Sequence, residues 1–255
     1  MDSQTLFGMK ACLAMLEHRP QDLIRLYHAK NMRRHLRGML AWAAARHIPY
    51  RELDAEGLQK VASTAHHEGI VAVCRPLRYR ELSLESASEA TRDIGNESGR
   101  GGALWVALDG VANPHNLGAI MRSCAFFGAA GLLAGGAAPG EKVNAAALRV
   151  AEGGAEHLAL HGAPELAEAL GILREGGFAL IGLETGGAPT LAQALHRHPP
   201  QKALALVLGA EQDGLSRAAR RACGTVCHLP GEGAMSSLNV SVAAGVALAE
   251  AARKR

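Results

Sequence analysis

Five short apolar runs after residue 102 limit the fold more than any other feature: Leu104-Trp-Val-Ala-Leu108, Gly131-Leu-Leu-Ala134, Phe178-Ala-Leu-Ile-Gly182, Leu204-Ala-Leu-Val-Leu208 and Val226 to Leu229. Stretches with helical spacing lie between them, over Asn116–Phe127, Ala145–Val150 and Glu165–Glu175. A long Ala-rich helix is expected from Leu238 to Arg253. Strands alternating with helices in this order predict a mainly parallel sheet covered on both faces. Residues 102–255 therefore read as one α/β domain.

Residues 1–76 read as a smaller α/β unit. Helical spacing runs from Leu6 to Leu16, and Asp22 to Tyr27 reads as a short strand. Met32 to Arg46 is again helical and Leu58 to Ala62 suggests a short helix, while Gly69 to Cys74 is a buried strand that Pro76 ends. Residues 77–101 differ in character: Glu81, Glu85, Glu89, Asp93 and Glu97 recur every four residues among Ser, Ala and Thr, and Gly95, Gly99, Gly101 and Gly102 follow. That composition reads as a linker able to hold a transient acidic helix. Its functional alternative is an acidic surface that repels RNA or binds a partner.

The net charge of +3 conceals an asymmetry, because residues 1–76 carry 11 Lys and Arg against 7 Asp and Glu. Arg25, Lys30, Arg33, Arg34 and Arg37 fall within thirteen residues, with His28 and His35 among them. Such a face suits phosphate contact that weakens as salt rises, or it is a solvated helix face. Nine aromatic residues are too few for a module built on stacking platforms, so charge and shape are the expected means of recognition. Five Cys suit reduced thiols better than a disulfide framework, and Cys223, Cys227 and His228 lack the second pair of a zinc site. No apolar stretch reaches membrane-spanning length and the first residues make no convincing signal peptide, so a cytoplasmic protein is expected.

Open parallel sheets bind ligands beyond the carboxyl ends of their strands. Three such ends are rich in polar residues and Gly: Asp109 to Arg122, Gly209 to Ser216 and Pro230 to Ser241. The Gly-rich dinucleotide fingerprint and the Walker phosphate loop are absent. What is present is N-x-G-x-x-x-R as Asn116, Gly118 and Arg122, L-G-x-E as Leu208, Gly209 and Glu211, and S-L-N-V-S as Ser237 to Ser241.

These three segments, in this order, resemble the motifs of the SpoU-type (TrmH-like) RNA 2′-O-ribose methyltransferases of the SPOUT superfamily. The first segment is similar to the small ribosomal-protein-like α/β domain that precedes the catalytic domain in many of them. His66-His-Glu-Gly-Ile-Val-Ala72 matches its H-Q-G-x-x-A motif, with Glu68 in place of Gln. The resemblance implies a C-terminal parallel sheet with a trefoil knot over 204–245. It also implies S-adenosyl-methionine as cofactor, rRNA or tRNA as substrate, and a homodimer with active sites near the subunit interface. By position in the motifs, Arg122, Asn116, Glu211, Ser237 and Asn239 are the catalytic candidates, and Gly209, Leu229 and Leu238 are the cofactor-binding ones. No metal is implied.

A protonated Arg is a poor literal base. Arg122 is therefore expected to clamp an RNA phosphate and make the ribose hydroxyl easier to deprotonate. Three departures stand out: Asn113 precedes Pro where Asp is frequent, and Gly231 and Glu232 follow Pro230 where an apolar residue is common. They keep open the alternative of an RNA-binding protein that retained this fold and lost catalysis.

Overall fold

The computed structural model describes residues 2–92, 101–186 and 189–255. Asp93, Gly95, Glu97 and Gly99 of the expected linker lie outside the described residues. The first unit holds β1 (Gln4–Phe7), α1 (Met9–His18), β2 (Leu23–His28), α2 (Arg37–Ala45), β3 (Tyr50–Glu52), α3 (Ala55–Ala62) and β4 (Ile70–Cys74). Its sheet order is β1-β4-β2-β3, with β4 antiparallel to β1 and β2, and β3 parallel to β2.

Three local expectations change here. The helical spacing from Leu6 is split, because Gln4 and Leu6 point inward from a strand paired with β4, and the helix starts only at Met9. The helix expected from Met32 starts at Arg37, after a 3-10 turn at Lys30–Met32. Buried Met32 and Leu36 anchor this irregular stretch and leave Arg33, Arg34 and His35 in solvent. Strand β3 gave no apolar signal, since all three of its residues are exposed.

The second unit begins earlier than expected. Residues 77–92 hold β5 (Arg80–Glu81) and α4 (Leu84–Arg92), so the linker reading fails over this stretch. Arg80 and Glu81 pair with residues 161 and 162 of the main sheet, and Ala87 is fully buried against that sheet's helices. Of the four-residue acidic period, Glu85 and Glu89 lie on the solvent side of this helix, where both are exposed.

Then follow β6 (Leu104–Asp109), α5 (Pro114–Phe126), β7 (Gly131–Gly135), α6 (Ala145–Val150), β8 (Ala159–Ala163), α7 (Leu166–Glu175) and β9 (Ala179–Leu183). The chain ends with α8 (Leu191–Arg197), β10 (Leu204–Gly209), α9 (Arg217–Ala222), β11 (Thr225–Cys227) and α10 (Val240–Lys254). The sheet order is β11-β9-β10-β6-β7-β8-β5, and every pairing is parallel.

Side-chain alternation separates two cores. Leu104, Val106, Leu108, Leu204, Leu206 and Leu208 face one side, with α5, α6, α8 and α10. Trp105, Ala107, Ala205 and Val207 face the other, with α4, α7 and α9. Burying one Leu or Val side chain contributes about 1.5–3 kcal/mol. A one-residue slip would exchange the two sets, so the register is strongly specified. Among the described residues, no helix is long and apolar enough to cross a membrane.

The two units are docked through β1 and α1. Gln4 Nε2 donates to the Val143 carbonyl at 2.7 Å, and Asp2 pairs with Arg78 and Lys142. The least solvated ion pair between the described parts of the two units is Arg19–Glu156, with Nε 2.9 Å from Oε2 and side-chain exposures of 9% and 6%. Arg19 also donates to the Arg75 carbonyl at 2.8 Å and to Asp22 at 3.3 Å. Removing one partner of a buried pair leaves an uncompensated charge, at a cost of about 3–5 kcal/mol. Arg19→Met should therefore lower unfolding free energy in urea by about that amount. The double variant Arg19→Met/Glu156→Leu should recover most of the loss.

His161 gives a second prediction. It is buried against Trp105, with ring centroids 5.2 Å apart, and its Nδ1 meets the Glu81 carbonyl at 3.0 Å. Burial lowers its pKa, with the Glu81 carbonyl opposing. A lowered pKa means that folding favours the neutral ring. Its stabilisation is complete above the ordinary imidazole value of about 6.5 and is lost as pH falls below it. Urea midpoints measured between pH 7.5 and 5 should fall less steeply in His161→Asn than in the parent.

Candidate active site

Asn113 caps α5, its side chain accepting from the His115 N–H at 2.9 Å, with Pro114 in the first helical position. Replacing the frequent Asp by Asn thus removes a charge and keeps the cap. Asn116 follows on the first turn. Gly118 lets α5 lie against α6, since a Cβ there would stand 2.4 Å from the Ala147 carbonyl oxygen.

Glu211 sits in a tight turn in which the Gly214 N–H donates to the Ala210 carbonyl at 2.9 Å. The turn is braced from β6, where Asp109 Oδ2 accepts from the Ser216 N–H at 2.7 Å. Gly209 serves the same turn: a Cβ there would lie 2.0 Å from the Gly214 carbonyl carbon. Its bare α-carbon therefore makes room for the chain itself.

The carboxylate of Glu211 gathers the motifs. It accepts from Asn116 Nδ2 at 3.0 Å, from Asn239 Nδ2, and from the Val240 N–H at 3.4 Å. Asn239 Nδ2 also donates to Asn116 Oδ1 at 3.1 Å, while its own Oδ1 accepts from the Ser241 N–H at 2.9 Å and so caps α10. Three of the five catalytic candidates therefore meet in one cluster at the carboxyl ends of β6 and β10.

Arg122 lies elsewhere. It is six residues beyond Asn116, about 9 Å along the helix and on a different face. Its Nη1 pairs with Glu152 at 3.0 Å, and its side chain is 55% exposed. Among the described residues no ion pair joins Arg122 to Glu211, which holds loop backbone at Val240 instead. Glu152, a residue that the sequence did not mark, also meets Lys10 of α1 at 2.6 Å. Its carboxyl is held below the ordinary range, first by the Lys10 hydrogen bond and then by the Arg122 charge. Its φ of 48° gave no sequence signal.

Ser237 and Leu238 lie in the exposed stretch 231–239, and Leu229 is half-buried against the core. The backbone N–H groups of Leu229 and of residues 231–238 make no hydrogen bond to the described residues. Unpaired backbone groups beside a strand end fit an adenosyl group, whose ring needs both donors and acceptors. Of the basic candidates, Arg25 donates to the Tyr27 hydroxyl at 3.1 Å, while the side chains of Lys30, Arg33, Arg34 and Arg37 are exposed and have no partner among the described residues.

A fully parallel sheet with polar segments gathered beyond its strand ends defines the class, and the comparisons specify it. Residues 103–249 match the SpoU rRNA Methylase family, and residues 5–80 match the family described as RNA 2′-O ribose methyltransferase substrate binding. The 23S rRNA (guanosine-2′-O-)-methyltransferase RlmB of Ralstonia nicotianae is 34% identical over 99% of this chain and 96% of its own length. An uncharacterized tRNA/rRNA methyltransferase, YfiF of Escherichia coli O157:H7, is 33% identical over 96% of this chain, which spans 66% of that protein. An AdoMet-bound rRNA methyltransferase from Sinorhizobium meliloti superposes with a TM-score of 0.75 at 22% identity, covering 98% of this chain and 87% of that one.

The chain belongs to the SpoU rRNA methylase family. Its SPOUT methyltransferase fold implies a knotted C-terminal segment.

Replacing Glu211 by Ala should free the donors that it holds. Amide exchange at Val240 should accelerate about tenfold, the equivalent of about 1.4 kcal/mol, while β10 amides stay protected. Exchange followed by NMR tests this.

Proposed function

We propose that this chain methylates a ribose 2′-hydroxyl of ribosomal RNA, with Arg122, Asn116, Glu211, Ser237 and Asn239 as its reaction centre. The transfer class is that of its family, an RNA ribose 2′-O-methylation that uses S-adenosyl-methionine. The observation carrying the residue assignment is the Asn116–Glu211–Asn239 cluster, which joins all three motif segments. Ribosomal RNA is favoured over tRNA by the RlmB relatives, which match along nearly the whole chain.

S-adenosyl-methionine supplies an electrophilic methyl group, and residues near Gly209, Leu229 and Leu238 would hold it. The chain's own part is positioning, which accounts for a large share of such catalysis. Glu211 fixes Asn116 and Asn239 so that both can orient the ribose. Ser237, free of protein partners, can donate to the RNA. Arg122 keeps donors beyond the one on Glu152, enough to grip a phosphate beside the reacting hydroxyl.

Arg122 and the Glu211 cluster are not joined by any hydrogen bond within one chain. Phe126, Val242 and Val246 are exposed on α5 and α10, and Met235 and Leu238 on the loop before α10. Both facts support a homodimer whose second copy covers this apolar face and completes the site. A cytoplasmic location follows from ribosomal RNA as substrate.

Arg122→Ala should lower methyl transfer by roughly 10²–10³, the size seen when one charge-stabilising donor is removed. Its calorimetric affinity for S-adenosyl-methionine should stay within about threefold, or 0.65 kcal/mol. Mass-spectrometric mapping of ribose methyls in rRNA from cells lacking the gene should show one methyl missing. An unchanged map, or near-normal turnover by Arg122→Ala, would count against the proposal.

A further inference from the structure

A cleft of about 340 Å³ opens in the first unit, away from the Glu211 cluster, between α2 and the edge strand β3. Its floor is Leu40, Ala41 and Ala44 of α2, and its polar lining is His28, Arg33, Arg37, Tyr50 and Glu52. The local structure explains why these residues converge. Tyr50 and Glu52 are two apart on β3 and share a face. Parallel pairing sets Glu52 beside His28 and Tyr50 beside Leu26. Arg33 and Arg37 stand four residues apart on the turns leading into α2.

The fold uses none of these polar ends. Arg33, Arg37 and Glu52 make no side-chain hydrogen bond or ion pair among the described residues, and the Tyr50 hydroxyl makes no hydrogen bond. His28 is only 2% exposed; its Nδ1 donates to the Ala29 carbonyl at 3.0 Å, and its Nε2 has no protein partner. His28 lines the cleft, and its free nitrogen joins the ends of Arg33, Arg37, Tyr50 and Glu52 in offering a ligand unused donors and acceptors.

We propose that this cleft holds one unpaired nucleotide of the RNA substrate, with guanine as its base. The assignment rests on the RNA-directed reading above and concerns a subsite remote from the reacting ribose. Each group has a role that its chemistry dictates. Arg33 and Arg37 grip the nucleotide's phosphate. Tyr50, 43% exposed, offers a ring face on which an unstacked base can lie. Glu52 can only accept, and guanine alone presents two adjacent donors, its ring N–H and its amino group, to the two oxygens of a carboxylate; adenine and cytosine set one amino group beside an acceptor, and uracil sets one N–H between two carbonyls. His28 Nε2 is placed for the ribose or the remaining base edge.

The test uses the full chain, without S-adenosyl-methionine, and four single-stranded RNA heptamers that differ only in a central G, C, A or U. Fluorescence anisotropy should show the G probe bound about tenfold more tightly than C, A and U, within the 1–3 kcal/mol that one good base contact supplies. Glu52→Gln should remove that preference and leave the C, A and U affinities unchanged. Tyr50→Ala should weaken all four probes, and Tyr50→Phe should restore them. Arg33→Ala/Arg37→Ala should weaken all four alike and flatten the salt slope by about 0.7–1.4.

Thermal melts should show every variant folded, because all the substituted side chains are exposed. Equal affinity for the four bases, or a preference that survives Glu52→Gln, would overturn the proposal. Methyl transfer to rRNA from the gene-deleted cells is assayed in parallel. Transfer without base preference rejects the subsite alone, and base preference without transfer rejects the catalytic reading alone.

Discussion

One carboxylate makes a centre out of three distant stretches of chain. Glu211 lies 95 residues from Asn116 and 28 from Asn239, yet a single oxygen of it serves both. A carboxylate accepts hydrogen bonds and does not donate them, so its neighbours must be donors. Amides suit the role because each carries a donor and an acceptor. Asn239 gives its nitrogen to Glu211 and keeps its oxygen to cap α10. The start of the last helix and the geometry of the candidate site are therefore fixed by the same side chain.

The centre of the sheet was legible because its strands are apolar and buried on both faces, so Leu104–Leu108 and Leu204–Leu208 announce themselves without context, whereas β8, with His161 and Gly162 in a five-residue strand, gave no such signal. Strands held by neighbours rather than by their own burial were not legible. Tyr50–Glu52 has no buried side chain, and Arg80–Glu81 is two charged residues that pair because β8 offers an open edge. The stretch from residue 77 looked like linker for the same reason: a helix that covers a sheet with Ala87 and Ala90 needs no large apolar residue.

Within the site, the motif spacing identified the residues that meet and could not show which of them do. Asn116 and Arg122 share a motif and a helix, but six residues of helical rotation turn them to different sides. Glu152, the group that engages Arg122, is positioned by a left-handed backbone residue between a helix and two glycines, a conformation that side-chain type does not reveal. Gly209 also has a role inside the chain that the motif did not show. Its lack of a side chain answers to Gly214 across the turn, a contact visible only once the chain has folded back.

The ion pair between Arg19 and Glu156 has a consequence beyond stability. It holds the unit bearing the basic face against the unit bearing the candidate site, so under the proposed function the distance between grip and chemistry is set by the protein itself. Such a molecule works as a caliper. An RNA qualifies only if its own folding presents a grippable segment and a reachable ribose at that span, and substrate choice becomes a measurement of length as much as a reading of bases.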